Sequence, residues 1–265
     1  MWLPYLPAVA LGADPRLINL LCVIFAVIII ILTSQEGRVS AILLLPVFLL
    51  TPYLAYRHEI YLGVVILVLS VVFALFQRKQ WLACGAFFGY AIATYQFSWV
   101  IFPFFVISIF KKSGIIKALS SMVVGIGVSL MIILPFFLSS PDMFLEGVYG
   151  HWNYFYVSNI NIAYFLSFLL PWNFLIVIQG IILLIVLTIA IKTMDPDDMW
   201  GWMAGALLLF IALNRNIESY FYLLVLFLLL LHGIAVSGYQ PVSKEKVDSL
   251  GESGQYEGNF LMICQ

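Results

Sequence analysis

The chain has 265 residues, of which 64% are hydrophobic and 9% charged, with a net charge of −1 and a mean hydropathy of +1.09. A soluble domain of this size exposes too much surface to be so apolar, so much of that surface must face lipid. The near-neutral charge excludes a basic nucleic-acid binder, and long continuous apolar runs favour helices over a β-barrel.

The elements follow in chain order. The N-terminus has no basic region leading into an apolar core and a small-residue cleavage site, so no cleavable signal peptide is expected. The first span is predicted from about Leu17 to Leu32 and the second from about Ser40 to Tyr56, the latter kinked or partly re-entrant at Pro46 and Pro52. The third runs from about Ile60 to Phe76. Trp81 to Phe110 is too long for one crossing and too short for two. With Gly85, Gly89, Gln96, Ser98 and Pro103 as interruptions, it reads as two short helices meeting near Gln96. Next come a span from about Ile116 to Leu138, a loop at Ser139–Asn161 and a short apolar stretch ending at Pro171. The last spans are about Trp172 to Ile191, Met199 to Leu213 and Ser219 to Val236. The expected fold is therefore all-α, a polytopic transmembrane bundle of about eight or nine spans or half-spans over residues 1–236. Residues 237–265 form a mobile cytoplasmic tail.

Charge orients the bundle. Arg38, Arg78, Lys79, Lys111, Lys112, Lys117, Lys192, Lys244 and Lys246 fall on one side, and Arg16, Arg57 and Arg215 on the other. Basic residues are retained in the cytoplasm, so the first side is inside. The assignment depends on the break at Gln96; one unbroken helix would invert everything downstream.

The spans carry almost no ionisable residues, unlike ion-coupled transporters. Polar residues collect at the outer helix ends. Arg57, His58 and Glu59 could hold a phosphate or form an ordinary solvated turn. Asn214, Arg215, Asn216 and Glu218 precede Tyr220, Phe221 and Tyr222. An outer Arg runs against the charge rule, and a lipid phosphate or a pair with Glu218 would account for it. The outer loop with Asp142, Glu146, His151, Trp152 and Asn153 suits sugar stacking and hydroxyl binding, or an aromatic belt. Thr94, Tyr95 and Gln96 mark either a cavity-lining break or a packing kink. Asp195-Pro196-Asp197-Asp198 has the spacing of a cation-holding Asp-x-Asp but sits where a turn or helix N-cap is expected. Cys22 and Cys84 lie in apolar runs, and together with Cys264 they show no metal or disulfide spacing. No metal site is expected.

Four pieces in order carry a family resemblance. They are Pro4-Tyr5-Leu6-Pro7 with Gly12-Ala13-Asp14-Pro15-Arg16; Gly89-Tyr90-Ala91-Ile92-Ala93-Thr94-Tyr95-Gln96 with Pro103; Leu134-Pro135-Phe136 with Pro141, Asp142 and Phe144; and Leu213-Asn214-Arg215-Asn216 with Tyr220-Phe221-Tyr222. Together they resemble the polyprenyl-phosphate-sugar-dependent glycosyltransferases of the GT-C fold, specifically the mannosyltransferase-like integral membrane proteins. Tyr95 stands where that family has a basic residue beside Gln96. The resemblance implies hexosyl or mannosyl transfer from a polyprenyl-phosphate sugar to a glycan, lipid or protein acceptor, at the extracytoplasmic face of the plasma membrane in the cell envelope. It implies donor-phosphate binding by Arg215 and Arg57, and sugar or acceptor contacts by Gln96, His151, Asn153, Asn214 and Tyr220. The donor's phosphate bond supplies the energy, so no cofactor is required, and a divalent cation is left open. The family's catalytic carboxylate lies in the first outer loop; this chain is expected to begin downstream of it, as an N-terminally truncated member whose base lies upstream of Met1. The alternatives are a non-catalytic membrane subunit that binds lipid-linked sugars and a transporter or flippase for them.

Overall fold

A computed structural model describes residues 9–12, 14–33, 62–95, 97–146, 162–214 and 221–237. Among them every regular element is helical: α1 (Pro15–Thr33), α2 (Leu62–Gln77), α3 (Trp81–Thr94), α4 (Ser98–Ser113), α5 (Ile115–Ser139), α6 (Ile162–Ser167), α7 (Trp172–Thr193), α8 (Met199–Ala212) and α9 (Phe221–Ser237), with a 3₁₀ turn at Pro196–Asp198. The expected span at Ser40–Tyr56 and the tail beyond Ser237 lie outside the described residues. Part of the expected Ser139–Asn161 loop is helical, at 141–146. Pro141 sits at its first position, where its missing N–H costs nothing.

Three described helices are long and apolar enough to cross a membrane: α1, α5 and α7. The others are shorter. At ~1.5 Å per residue, the 14 residues of α3 and of α8 fall short of a hydrocarbon layer of ~30 Å. The spanning windows of α5 and α7 are only 17% buried, so their apolar side chains, Val123, Met131, Val177 and Leu184 among them, face outward. Such an outward-facing apolar surface suits contact with lipid.

The break in the long apolar run lies where the sequence predicts it, between Thr94 and Ser98. Gly85, Gly89 and Pro103 do not interrupt it. Pro103 sits early in α4 without ending it. The glycines serve packing instead. A Cβ on Gly85 would strike the Ser121 carbonyl oxygen, and one on Gly89 the Gly125 carbonyl oxygen. A Cβ on Gly125 would in turn meet the Gly85 carbonyl at 3.0 Å and the Phe102 ring at 3.2 Å. The two helices therefore touch backbone to backbone and run parallel, four residues in step, as small-residue repeats allow. The Ser121 hydroxyl donates to the Trp81 carbonyl across the same seam at 2.8 Å.

α4 returns antiparallel to α3, and its aromatics fill the centre. Phe88 stacks on Phe105 at 4.8 Å and packs on Phe102 at 5.3 Å; Phe76 meets Trp81 at 5.2 Å and Phe73 meets Trp200 at 5.7 Å. α2, α3, α4, α8 and α9 share this core, and α1 lies along α2. Gly63 packs against Asn19, so α1 and α2 begin at the same end.

The described cations Arg78, Lys79, Lys111, Lys112, Lys117 and Lys192 gather at one end of the bundle, and Arg16 stands at the other. Lys112 bridges the chain at the basic end: its Nζ pairs with Asp197 at 2.8 Å and lies 5.1 Å from the Phe76 ring centre. Lys111 donates to the Met194 and Ala190 carbonyls at 2.6 and 3.2 Å, satisfying the last turn of α7. The Ser108 hydroxyl donates to the Pro196 carbonyl at 3.0 Å. Asp195 caps its own turn by accepting from the Asp197 N–H at 3.0 Å. The Asp-Pro-Asp-Asp stretch is thus the capped turn that the sequence favours, with two of its carboxylates already engaged.

The α2–α3 turn closes differently. The Gln80 N–H donates to Leu75 and the Lys79 N–H to Phe76, both at 3.0 Å, which is the Schellman arrangement. Its left-handed position holds Lys79, with φ 57°, where glycine is cheaper.

Four outcomes follow for the purified protein in detergent, read by thermal unfolding. Gly89→Leu is expected to force α3 off α5 and destabilise by about 1–3 kcal/mol, whereas Gly127→Ala, where an added Cβ meets nothing within 4 Å, leaves stability unchanged or slightly raised. Lys111→Met takes the Nζ donor from the Met194 carbonyl, while the Ala190 carbonyl keeps the Met194 N–H, and is expected to cost about 1–3 kcal/mol. Asp197→Asn, at a partly exposed ion pair, costs about 1 kcal/mol or less.

Candidate functional site at the helix break

The end opposite the cations holds the α3–α4 break. Tyr95 packs edge-on against Phe97 at 5.4 Å, and Phe97 against Phe210 of α8 at 5.7 Å. α8 ends just beyond, at Leu213 and Asn214, and the Asn214 N–H donates to the Ile211 carbonyl at 3.0 Å. The break and the end of α8 therefore share one corner. Two of the motif pieces singled out in the sequence, one ending at Gln96 and one beginning at Leu213, adjoin this corner although more than a hundred residues separate them.

The corner differs from expectation in exposure. An outer polar junction is expected, yet Thr94, Tyr95, Phe97, Ser98, Leu213 and Asn214 are all buried. The α3–α5 register explains part of this. Ala93 lies level with Ser129, while α5 continues to Ser139. The break is thus inset from the end of α5 by roughly 15 Å at the ordinary helical rise. The Thr94 hydroxyl donates back to the Tyr90 carbonyl at 2.9 Å, so its hydrogen goes to its own helix and not to a ligand.

Other polar groups collect at this corner. The Ser98 and Ser129 hydroxyls are buried with no hydrogen-bond partner among the described residues. Stepping one turn from the Phe102–Gly125 contact along antiparallel α4 and α5 brings both to one level. Gln179 of α7 donates to the Phe210 carbonyl at 2.9 Å, satisfying an acceptor in the last turn of α8. Asn19 is buried against Gly63. The sequence reading passed over Asn19 and Gln179. The signal was present, since a lone amide in an apolar helix needs a partner inside the bundle.

Among the residues assigned to binding by resemblance, Asn214 is described and buried at this corner. Arg215, Arg57, Gln96, His151, Asn153 and Tyr220 lie outside the described residues, as do His58 and Glu59.

The described carboxylates at this end are Asp14, Asp142 and Glu146. Asp14 caps α1: its carboxylate accepts the Arg16 N–H at 2.9 Å and Arg16 Nε at 2.6 Å, and it pairs with the same guanidinium. These bonds hold its carboxyl below the usual range, which suits a cap and weakens it as a proton acceptor. Asp142 and Glu146 are exposed on the 141–146 segment. Among the described residues, no three His, Cys, Asp or Glu side chains group closely enough to hold a metal. No family model, curated protein or solved structure matches this chain.

Proposed function

We propose that this chain is a multi-pass GT-C-like protein of the plasma membrane that handles polyprenyl-phosphate-linked sugars at its extracytoplasmic face, as a hexosyl- or mannosyltransferase. The observation that supports this reading is that the α3–α4 break and the end of α8, which adjoin two distant motif pieces, Gly89–Gln96 and Leu213–Asn216, pack together through Phe97 and Phe210 at the bundle end opposite the cations. With basic residues retained in the cytoplasm, that end faces outward. Arg215, directly after Asn214, binds the donor phosphate through charged hydrogen bonds, with Arg57 as a second contact. Gln96, His151, Asn153, Asn214 and Tyr220 contact the sugar or the acceptor. A carboxylate base takes the acceptor proton, and the arginines stabilise the departing phosphate.

One observation favours a second reading, a non-catalytic subunit that binds lipid-linked sugars. Among the described residues no carboxylate is both unpaired and buried beside the break: Asp14 is committed to Arg16, and Asp142 and Glu146 are exposed.

Both readings share a donor site, and one experiment tests it. Arg215→Ala, reconstituted in vesicles, is expected to weaken binding of a polyprenyl-phosphate sugar about tenfold or more, the loss of a charge-assisted hydrogen bond, while insertion into the membrane is unaffected. Unchanged affinity removes Arg215 from the donor site. Turnover of a bound donor by the unaltered chain selects the transferase, and tight binding without turnover selects the subunit.

A further inference from the structure

The basic end carries charge beyond what its internal contacts use. Lys111 is spent on the α7 carbonyls and Lys112 on Asp197. The acidic turn at Asp195–Asp198 lies on that side, against α4, α8 and α9. Arg78, Lys79 and Lys117 lie on the other side. All three are exposed, and none makes an ion pair among the described residues. The α3–α5 seam brings them together. Ser121 bonds the first carbonyl of α3, and Lys117 stands one turn earlier on the same face of α5. Lys117 is therefore level with Trp81, which directly follows the Arg78–Gln80 turn.

The backbone supplies an independent observation. Lys79 occupies the left-handed position of a Schellman cap, where glycine would be less strained. Orientation in the membrane asks only that positive charge lie on this side. It does not ask for a lysine at a strained position when Arg78 is adjacent. Inward of the three cations, Leu82 and Leu119 are exposed apolar side chains in the first turns of α3 and α5. A cationic rim above an apolar wall fits a molecule with an anionic head and acyl chains.

We infer that Arg78, Lys79 and Lys117 form a binding site for the phosphate headgroup of an acidic membrane phospholipid, with its chains along Leu82 and Leu119. The site is distinct from the corner at the α3–α4 break and stands at the opposite end of the bundle.

The test uses the purified full chain in neutral detergent, with thermal unfolding as the readout. Phosphatidylglycerol is expected to raise the melting temperature, and phosphatidylcholine with the same chains and free glycerol phosphate are expected not to. The Arg78→Gln, Lys79→Gln, Lys117→Gln triple variant loses the shift, whereas Lys192→Gln, an exposed cation at the same end outside the cluster, keeps it. Lys79→Gly guards against a folding artefact: it relieves the strained position, so it melts higher without lipid yet gains less from phosphatidylglycerol. A full shift in the triple variant overturns the site, and so does an equal loss in Lys192→Gln, which marks diffuse attraction. An equal shift with phosphatidylcholine removes the headgroup from the account. An equal shift with glycerol phosphate replaces the lipid by a soluble anion.

Discussion

The backbone contact between α3 and α5 sets the positions of the other helices. In an apolar bundle, burying more apolar surface does little to hold one helix against another, because lipid is as apolar as the side chains it replaces. Close approach, with many dispersion contacts at short range, takes over that role. Gly85, Gly89 and Gly125 make the approach possible. Once α3 and α5 are in contact, the turn at Gly114 leaves α4 one antiparallel course beside both. Phe88, Phe102 and Phe105 then stack, and the aromatic centre receives α2 and α8.

Polar groups inside the bundle are few, and several of them donate to a backbone carbonyl of a neighbouring element. Gln179 serves α8, Lys111 serves α7, Ser121 serves α3 and Ser108 serves the 3₁₀ turn. Free helix ends are the main unsatisfied donors and acceptors in such a protein, so side chains directed at them tie neighbouring helices together. The Lys111 and Ser108 ties link the C-terminal half to α4, where aromatic packing alone would leave the rotation of each helix weakly specified.

The spans were largely legible because apolar length is a strong signal. Leu17–Leu32, Ile116–Leu138 and Met199–Leu213 each match a helix to within a few residues. The split near Gln96 was legible too, for a less direct reason. Length alone excluded one crossing, and the charge count required the chain to turn back. The role of individual small residues was not legible. Gly85 and Gly89 read as interruptions because the sequence does not show which helix lies opposite. The burial of the break was hidden for the same reason, since its inset depends on the register between α3 and α5. Of the candidate site, the sequence marked the break near Gln96 and the turn at Asn214 separately, without showing that the break packs on the end of α8, while Asn19 and Gln179 escaped because single amides are inconspicuous in long apolar runs.

The unequal helix lengths carry a mechanical consequence. α5 is 25 residues long, roughly 37 Å, whereas α8 at 14 residues reaches about 21 Å. A bilayer of uniform thickness cannot match both. In a membrane, either α5 would tilt, or the lipid layer would thin along the side where the short helices sit, at a cost of fractions of a kcal/mol per Å. The molecule would then act as a wedge in the membrane plane, favouring thinner bilayers and drawing neighbours with a matching profile to its short side.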